Sequence, residues 1–148
     1  MKKTFDEAEI SKTLKDYIVT KRHFRDFDIT REKVSAETGI PKAYISIVMK
    51  SVFGCNFYDF INRHRAYQAH RIIHSLTHRH STLEEIALQC GFSCRMTFHR
   101  SYLKVYGITP GEDQAHIVQG DIQLSCRIDT EYFLLSFDNR VIMHRIVL

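Results

Sequence analysis

Ile10, Leu14, Tyr17 and Ile18 recur at i, i+4, i+7 and i+8 with lysines on the opposite face, which predicts a helix over residues 5–24. The stretch "DFDIT" interrupts that pattern, and Thr30 stands where it can cap a new helix over "REKVSAET", residues 31–38. Gly39 follows, as glycine does where a left-handed residue ends a helix. Pro41 suits the first turn of the next helix, which runs to about Phe53 before Gly54 stops it. Residues 56–75, "NFYDFINRHRAYQAHRIIHS", carry Phe57, Phe60, Ile61, Arg65 and Tyr67 through Ile72 and Ile73 as a stripe, with no Pro or Gly inside. A helix of that length spans roughly 30 Å. "LTHRHS" reads as a linker. Ser81 with Glu84, or equally Thr82 with Glu85, forms a capping box for a helix whose apolar face is Leu83, Ile86, Ala87 and Cys90. Gly91 ends it, Ser93 can cap the next helix to Tyr106, Gly107 closes that one, and Thr109-Pro110 opens a last short helix. The pattern is all-α, with about seven helices.

Part of it repeats. Val34, Thr38, Gly39 and Ile40 match Ile86, Cys90, Gly91 and Phe92 at an offset of 52, and Ile45, Met49, Phe53 and Gly54 match Phe98, Tyr102, Tyr106 and Gly107 at 53. Each copy reads as short helix, glycine turn, longer helix, which is a helix-turn-helix unit. Small residues at Ser35 and Ala87 allow the paired helices to cross closely. A helical hairpin of this kind also occurs as plain scaffolding, but its second helix has the dimensions of a DNA major groove. The long helix between the copies is close in length to one turn of duplex, about 34 Å. Residues 1–117 therefore read as one DNA-binding domain, with units at about 30–54 and 82–107 and a linker helix over 56–75.

Residues 118–148 stand apart. "DIQLSCRID" alternates loosely and "RVIMHRIVL" is rich in β-branched residues, so a small hairpin or sheet is one reading of this extension and an irregular tail the other. Charge separates the regions too. Residues 1–117 hold 18 Lys and Arg against 13 Asp and Glu, whereas residues 118–148 hold 3 against 4. Between Arg63 and Lys104 the count is 7 basic to 2 acidic, which favours a polyanionic partner.

"IALQCGFSCRMTFHRSYLKVYGITPGE" resembles the signature of the AraC/XylS-type transcriptional regulators. That pattern runs Ile-Ala, three residues, Gly-Phe-Ser, then an aromatic, an Arg and a second aromatic, ending Gly-x-Thr-Pro. Ile86, Ala87, Gly91, Phe92, Ser93, Phe98, Arg100, Tyr102, Tyr106, Gly107, Thr109 and Pro110 match it. The resemblance covers about residues 5–117. It implies two helix-turn-helix subdomains on a linker helix, sequence-specific promoter binding to double-stranded DNA, and control of transcription through RNA polymerase, usually activation. It places the base-reading face of the second unit on Arg95, Met96, His99 and Arg100, beside Ser93 in the turn. Arg95 has the chemistry for a bidentate contact with guanine, Met96 for an apolar one with a thymine methyl, and His99 or Arg100 for phosphate. The first unit's face falls on Lys42, Ala43, Tyr44, Ser46, Ile47 and Lys50. Family members commonly carry Arg where this chain has Ile47, which leaves Ser46 as the main polar reader and Tyr44 and Lys50 for phosphates. Phe92, Phe98, Tyr102 and Tyr106 share one helical face and read as core.

Other constellations carry less. His70, His74 and His78 are spaced i, i+4 and i+8, but no carboxylate or cysteine near them in sequence completes a metal set, so basic surface is the reading and no metal or cofactor is expected. Four cysteines without a signal peptide read as free thiols in a cytoplasmic protein. No stretch approaches the roughly 20 apolar residues that span a bilayer, and no phosphate loop, nucleophile elbow or carboxylate pair suggests an enzyme. The rival to a DNA-binding regulator is a protein-interaction module whose helix-turn-helix units no longer bind DNA, with Ile47 and the apolar tail serving a partner.

Overall fold

A computed structural model of the protein describes residues 6–75 and 80–118. Among these residues there are seven α-helices and no strand. They are α1 (Glu7–Lys15), α2 (Arg31–Thr38), α3 (Lys42–Ser51), α4 (Phe57–Ile73), α5 (Leu83–Gln89), α6 (Arg95–Tyr106) and α7 (Pro110–Val118). The suggested hairpin in residues 118–148 falls, beyond Val118, outside the described residues, as does His78.

Local chemistry explains most boundaries. Asp6, Thr30, Asn56 and Thr82 each cap a helix by accepting from a backbone N–H of its first turn. Of the two capping boxes the sequence offers, the one formed is Thr82 with Glu85, each side chain bonded to the other's backbone N–H. Gly39 and Gly107 close α2 and α6 in the left-handed conformation, at φ 71° and 75°. The extra residue of the second repeat lies in its turn: Gly39-Ile40-Pro41 joins α2 to α3, whereas Cys90 to Cys94 joins α5 to α6, a further residue coming from the earlier end of α5.

Three expectations change. The first helix ends at Lys15, continues as a π turn over Asp16–Thr20, and breaks at Arg22, a non-glycine residue at φ 62°. The linker helix has 17 residues, about 25 Å, because His74 already leaves helical geometry. Ser93 does not cap α6; Cys94 takes that position.

Two apolar clusters form. The first joins Ile10, Leu14 and Ile18 to Val34, Ile40, Ile45, Val48 and Met49, and to Phe57, Phe60 and Ile61 at the start of α4. The second gathers Ile86, Ala87, Cys90, Phe92, Phe98 and Tyr102 around Ala69, Ile72 and Ile73 at its end. One helix thus carries a core at each end, and a fully buried side chain such as Phe98 contributes about 2–3 kcal/mol. The expected core aromatics are buried except Tyr106, which packs half-buried against the second cluster.

The two halves are tied together by the turn His23–Arg25. Arg65 of α4, only 8% exposed, donates from Nε to the Phe24 carbonyl at 2.6 Å and from Nη2 to the Asp26 carbonyl at 2.8 Å. Its guanidinium carbon also lies 5.8 Å from the centre of the Phe92 ring in the second core. Burial lowers the Arg65 pKa, and Asp26 opposes that shift. Arg25 in turn donates from Nε to the Gln89 carbonyl at the end of α5, at 2.9 Å. Gly91 packs on the same turn: a Cβ there would lie 2.7 Å from the Arg25 carbonyl carbon and 2.8 Å from its Cα.

Candidate nucleic-acid interface

The second helix of each repeat buries one side and exposes the other. In α3, Ile45, Val48 and Met49 face the core, while Lys42, Ala43, Tyr44, Ile47 and Lys50 are exposed. Ala43, Tyr44, Ile47 and Lys50 recur at three- and four-residue steps, so they share a face, with Lys42 at its edge in the first turn. Ile47 is 50% exposed, an unusual place for a β-branched apolar side chain. Ser46 is half-buried, and its hydroxyl accepts a hydrogen bond from Arg31 Nη1 at 2.9 Å. In α6, Phe98 and Tyr102 are buried, while Ser93 before the helix and Arg95, Met96 and Arg100 on it are exposed, Met96 to 67%. His99 departs from that face. It is half-buried, and its Nε2 is shut off from solvent without a hydrogen-bond partner among the described residues. It lines the groove between α5 and α6 together with Leu83, Glu84, Leu88 and Phe92.

Both helices begin with a cation held by a carboxylate of the bracing helix. Lys42 Nζ stands 3.2 Å from Glu32 Oε1, and Arg95 Nη1 stands 3.2 Å from Glu84 Oε1. Glu32 and Glu84 are the second residues of α2 and α5, and Lys42 and Arg95 the first residues of α3 and α6. The Glu32 carboxyl is held below its ordinary pKa by its own backbone N–H and then by Lys42. All four side chains are well exposed, so solvent screens each pair and it opens readily.

Arg31, Glu32 and Glu84 are the participants that helical spacing alone does not reveal. The two glutamates do carry a signal, since they repeat at the offset of 52 that relates the bracing helices. Arg31 carries none, because it meets Ser46 across the interhelical turn, fifteen residues away.

Two cysteines flank the turn in opposite states. Cys90 is fully buried and burial pushes its thiol up to about 12. Cys94 is exposed, and the backbone N–H groups of Thr97 and Met96 lower its thiol from the ordinary value.

A buried polar cluster lies beneath α6. Asp113 of α7 accepts from the Tyr102 hydroxyl and from His74 Nε2, the latter at 3.0 Å to Oδ2, with His70 Nε2 3.6 Å from Oδ2. Burial raises the Asp113 pKa, but the hydrogen bonds from His74 and Tyr102 outweigh it and the net shift is downward. The sequence shows the two histidines but not the carboxylate, which arrives 39 residues after His74.

Two short-helix, glycine-turn, long-helix units on one linker helix define a bipartite helix-turn-helix protein of the DNA-binding kind. A family model described as a helix-turn-helix domain matches residues 34–116, more than half of the chain. The chain belongs to the AraC-type helix-turn-helix family of DNA-binding transcription regulators. It is similar to the probable transcription factor PqrA of Proteus vulgaris, at 26% identity over 88 residues, 60% of this chain and 70% of that protein. Its fold matches the C-terminal domain of the two-component response regulator YesN from Fusobacterium nucleatum, with a TM-score of 0.60 and 26% identity over 72% of this chain and 98% of that one. A transcriptional regulator with an AraC-type DNA-binding domain from Chromobacterium violaceum shares the fold at 19% identity, with a TM-score of 0.61 over 76% of this chain and 98% of that one. Among the described residues no helix is long and apolar enough to cross a membrane.

Proposed function

We propose that residues 1–117 bind a promoter sequence-specifically, by placing α3 and α6 in adjacent major-groove segments, and that the protein regulates transcription there, in the cytoplasm, through contact with RNA polymerase. The observation that carries this reading is the matched construction of the two helices. Each turns its apolar side into a core and its other side outward, and each starts with a cation at the bracing-helix junction. Arg95 reads guanine, Met96 and Ile47 touch thymine methyls, and Ser46, released from Arg31, takes the polar reading in the first unit. Lys42, Tyr44, Lys50, Ser93 and Arg100 hold phosphates and set the register, with Ala43 leaving room for close approach. His99 supports α6 from below, in keeping with its buried Nε2.

Selection of bound sequences from random duplex tests this. The expected product is a motif with two elements about one helical turn apart, 10–10.5 base pairs. Retention of every duplex equally would leave non-specific binding only. No retention at low salt would favour the protein-interaction module instead. RNA polymerase contact is tested on a promoter carrying that motif, where added protein changes the yield of transcript or the proposal of contact fails.

A further inference from the structure

We propose that His70, His74 and Asp113 form a binding site for a zinc-class divalent metal ion at the joint between α4, α6 and α7. The histidines are spaced i, i+4 at the end of α4, which puts both imidazoles on one face of the helix. Their ring centroids are 4.0 Å apart. α7 brings the carboxylate of Asp113 to them, so that one ligand atom from each of the three residues lies within 4.8 Å of the others. Two imidazole nitrogens and a carboxylate oxygen are the donor set that suits zinc, and not the all-oxygen set of calcium or magnesium.

The spacing fits as well as the chemistry. Bonds of about 2.0–2.1 Å in a tetrahedron put neighbouring ligand atoms roughly 3.3–3.4 Å apart. Asp113 Oδ2 is 3.0 Å from His74 Nε2 and 3.6 Å from His70 Nε2, on either side of that value. Two of the three ligand-atom separations thus bracket the tetrahedral value, and the third lies within 4.8 Å. All three side chains are at most 9% exposed.

The surroundings already orient the ligands. Tyr102 donates its hydroxyl to Asp113, which fixes the carboxylate. The Tyr106 ring stacks on His70 with centroids 4.2 Å apart, which fixes that imidazole. Such outer partners hold ligand rotamers in metal sites. Three protein ligands leave a fourth position for water. For His74 Nε2 to take the ion, the proton it donates to Asp113 moves to Nδ1 of the same neutral ring. The bound ion would pin α7 to the linker helix and to the base of α6, beneath the proposed reading face.

The test uses the full chain, stripped with chelator and then titrated with zinc by calorimetry, with cobalt(II) as the optical probe. The expected result is one ion per chain, a tetrahedral cobalt spectrum without a thiolate charge-transfer band, and a melting temperature raised by zinc but not by magnesium. His74→Gln and Asp113→Asn should each weaken zinc by about 100-fold or more, while His23→Gln and Cys94→Ser leave it unchanged. Where a variant melts too early to titrate, the wild-type cobalt spectrum decides. Absence of stoichiometric binding, a thiolate band, or full affinity in both His74→Gln and Asp113→Asn would overturn the site.

Discussion

Arg95 Nη1 stands 3.2 Å from Glu84 Oε1, so the first residue of α6 is held by the second residue of the helix that braces it. The pair engages Nη1 of the guanidinium, so in the proposed DNA complex the carboxylate and the duplex would draw on the same cation. If Arg95 reads DNA as proposed, the pair would act as an internal competitor with the duplex. Lys42 and Glu32 repeat the arrangement in the first unit.

Glu84→Gln removes that competitor and a negative charge close to the duplex. DNA affinity, measured by fluorescence anisotropy, should rise severalfold, since an exposed ion pair contributes about 0.2–1 kcal/mol. Unchanged or weaker binding would show that the pair places Arg95 for DNA instead of withholding it.

Arg95→Ala and Lys50→Ala should fail differently. Loss of Arg95 costs about 1–3 kcal/mol and relaxes the preference at one base pair. Loss of Lys50 weakens all sequences alike and reduces the slope of log affinity against log salt by about 1. Anisotropy titrations on specific and scrambled duplexes across a salt series separate the two outcomes.

Several helix ends were legible in the sequence because their signals are local. Thr30 and Thr82 cap within three residues, and Gly39 and Gly107 sit where a left-handed residue is needed. The repeat was legible for the same reason, since the turn and the core positions recur in order. What joins the halves was not. Arg65 reaches back 41 residues to Phe24, Arg25 forward 64 to Gln89, and Asp113 back 39 to His74. Pairings at such separations leave no periodic trace. Arg65 even reads as part of an apolar stripe, because the helix pattern records that a position is buried and not what satisfies it. The outward positions of α3 and α6 came from the resemblance to the family's pattern. The engagement of Ser46 by Arg31 and the burial of His99 Nε2 depend on neighbours across a turn, and were not.

Gly91 and Gly107 predict unequal penalties for the same substitution. Both have positive φ, 91° and 75°, but an added Cβ at Gly107 meets nothing within 4 Å, whereas at Gly91 it runs into the Arg25 backbone. Gly107→Ala should cost about 1–2 kcal/mol from left-handed strain. Gly91→Ala should cost clearly more, because main chain cannot swing aside as a side chain can. Denaturant melts of the two variants check the order, and equal penalties would contradict the packing of the turn on Gly91.

His64 sets an acid limit on stability. Its ring lies edge-on to Phe60 and Tyr67, with centroids 4.6 and 5.6 Å away. Burial first, then Arg63 and Lys15, lower its pKa from 6.5 to about 4. The unfolded chain takes up this proton near pH 6.5 and the folded chain only near pH 4. The associated stability is fully present above pH 6.5 and is lost as pH falls towards 4, about 3 kcal/mol in all. His64→Leu should flatten the stability profile across that window in melts at a series of pH values, while a profile as steep as that of the wild type would assign the slope elsewhere.

The reach of Arg65 into both halves has a consequence for engineering. A guanidinium that satisfies Phe24 and Asp26 while lying against Phe92 belongs to neither reading unit. A chimera that grafts one unit from a relative onto this chain must keep residues 22–26 and the linker helix from a single parent. A seam drawn between them would strand a buried cation in one half and two bare carbonyls in the other, and the hybrid would lose its folded form before its choice of operator could be measured.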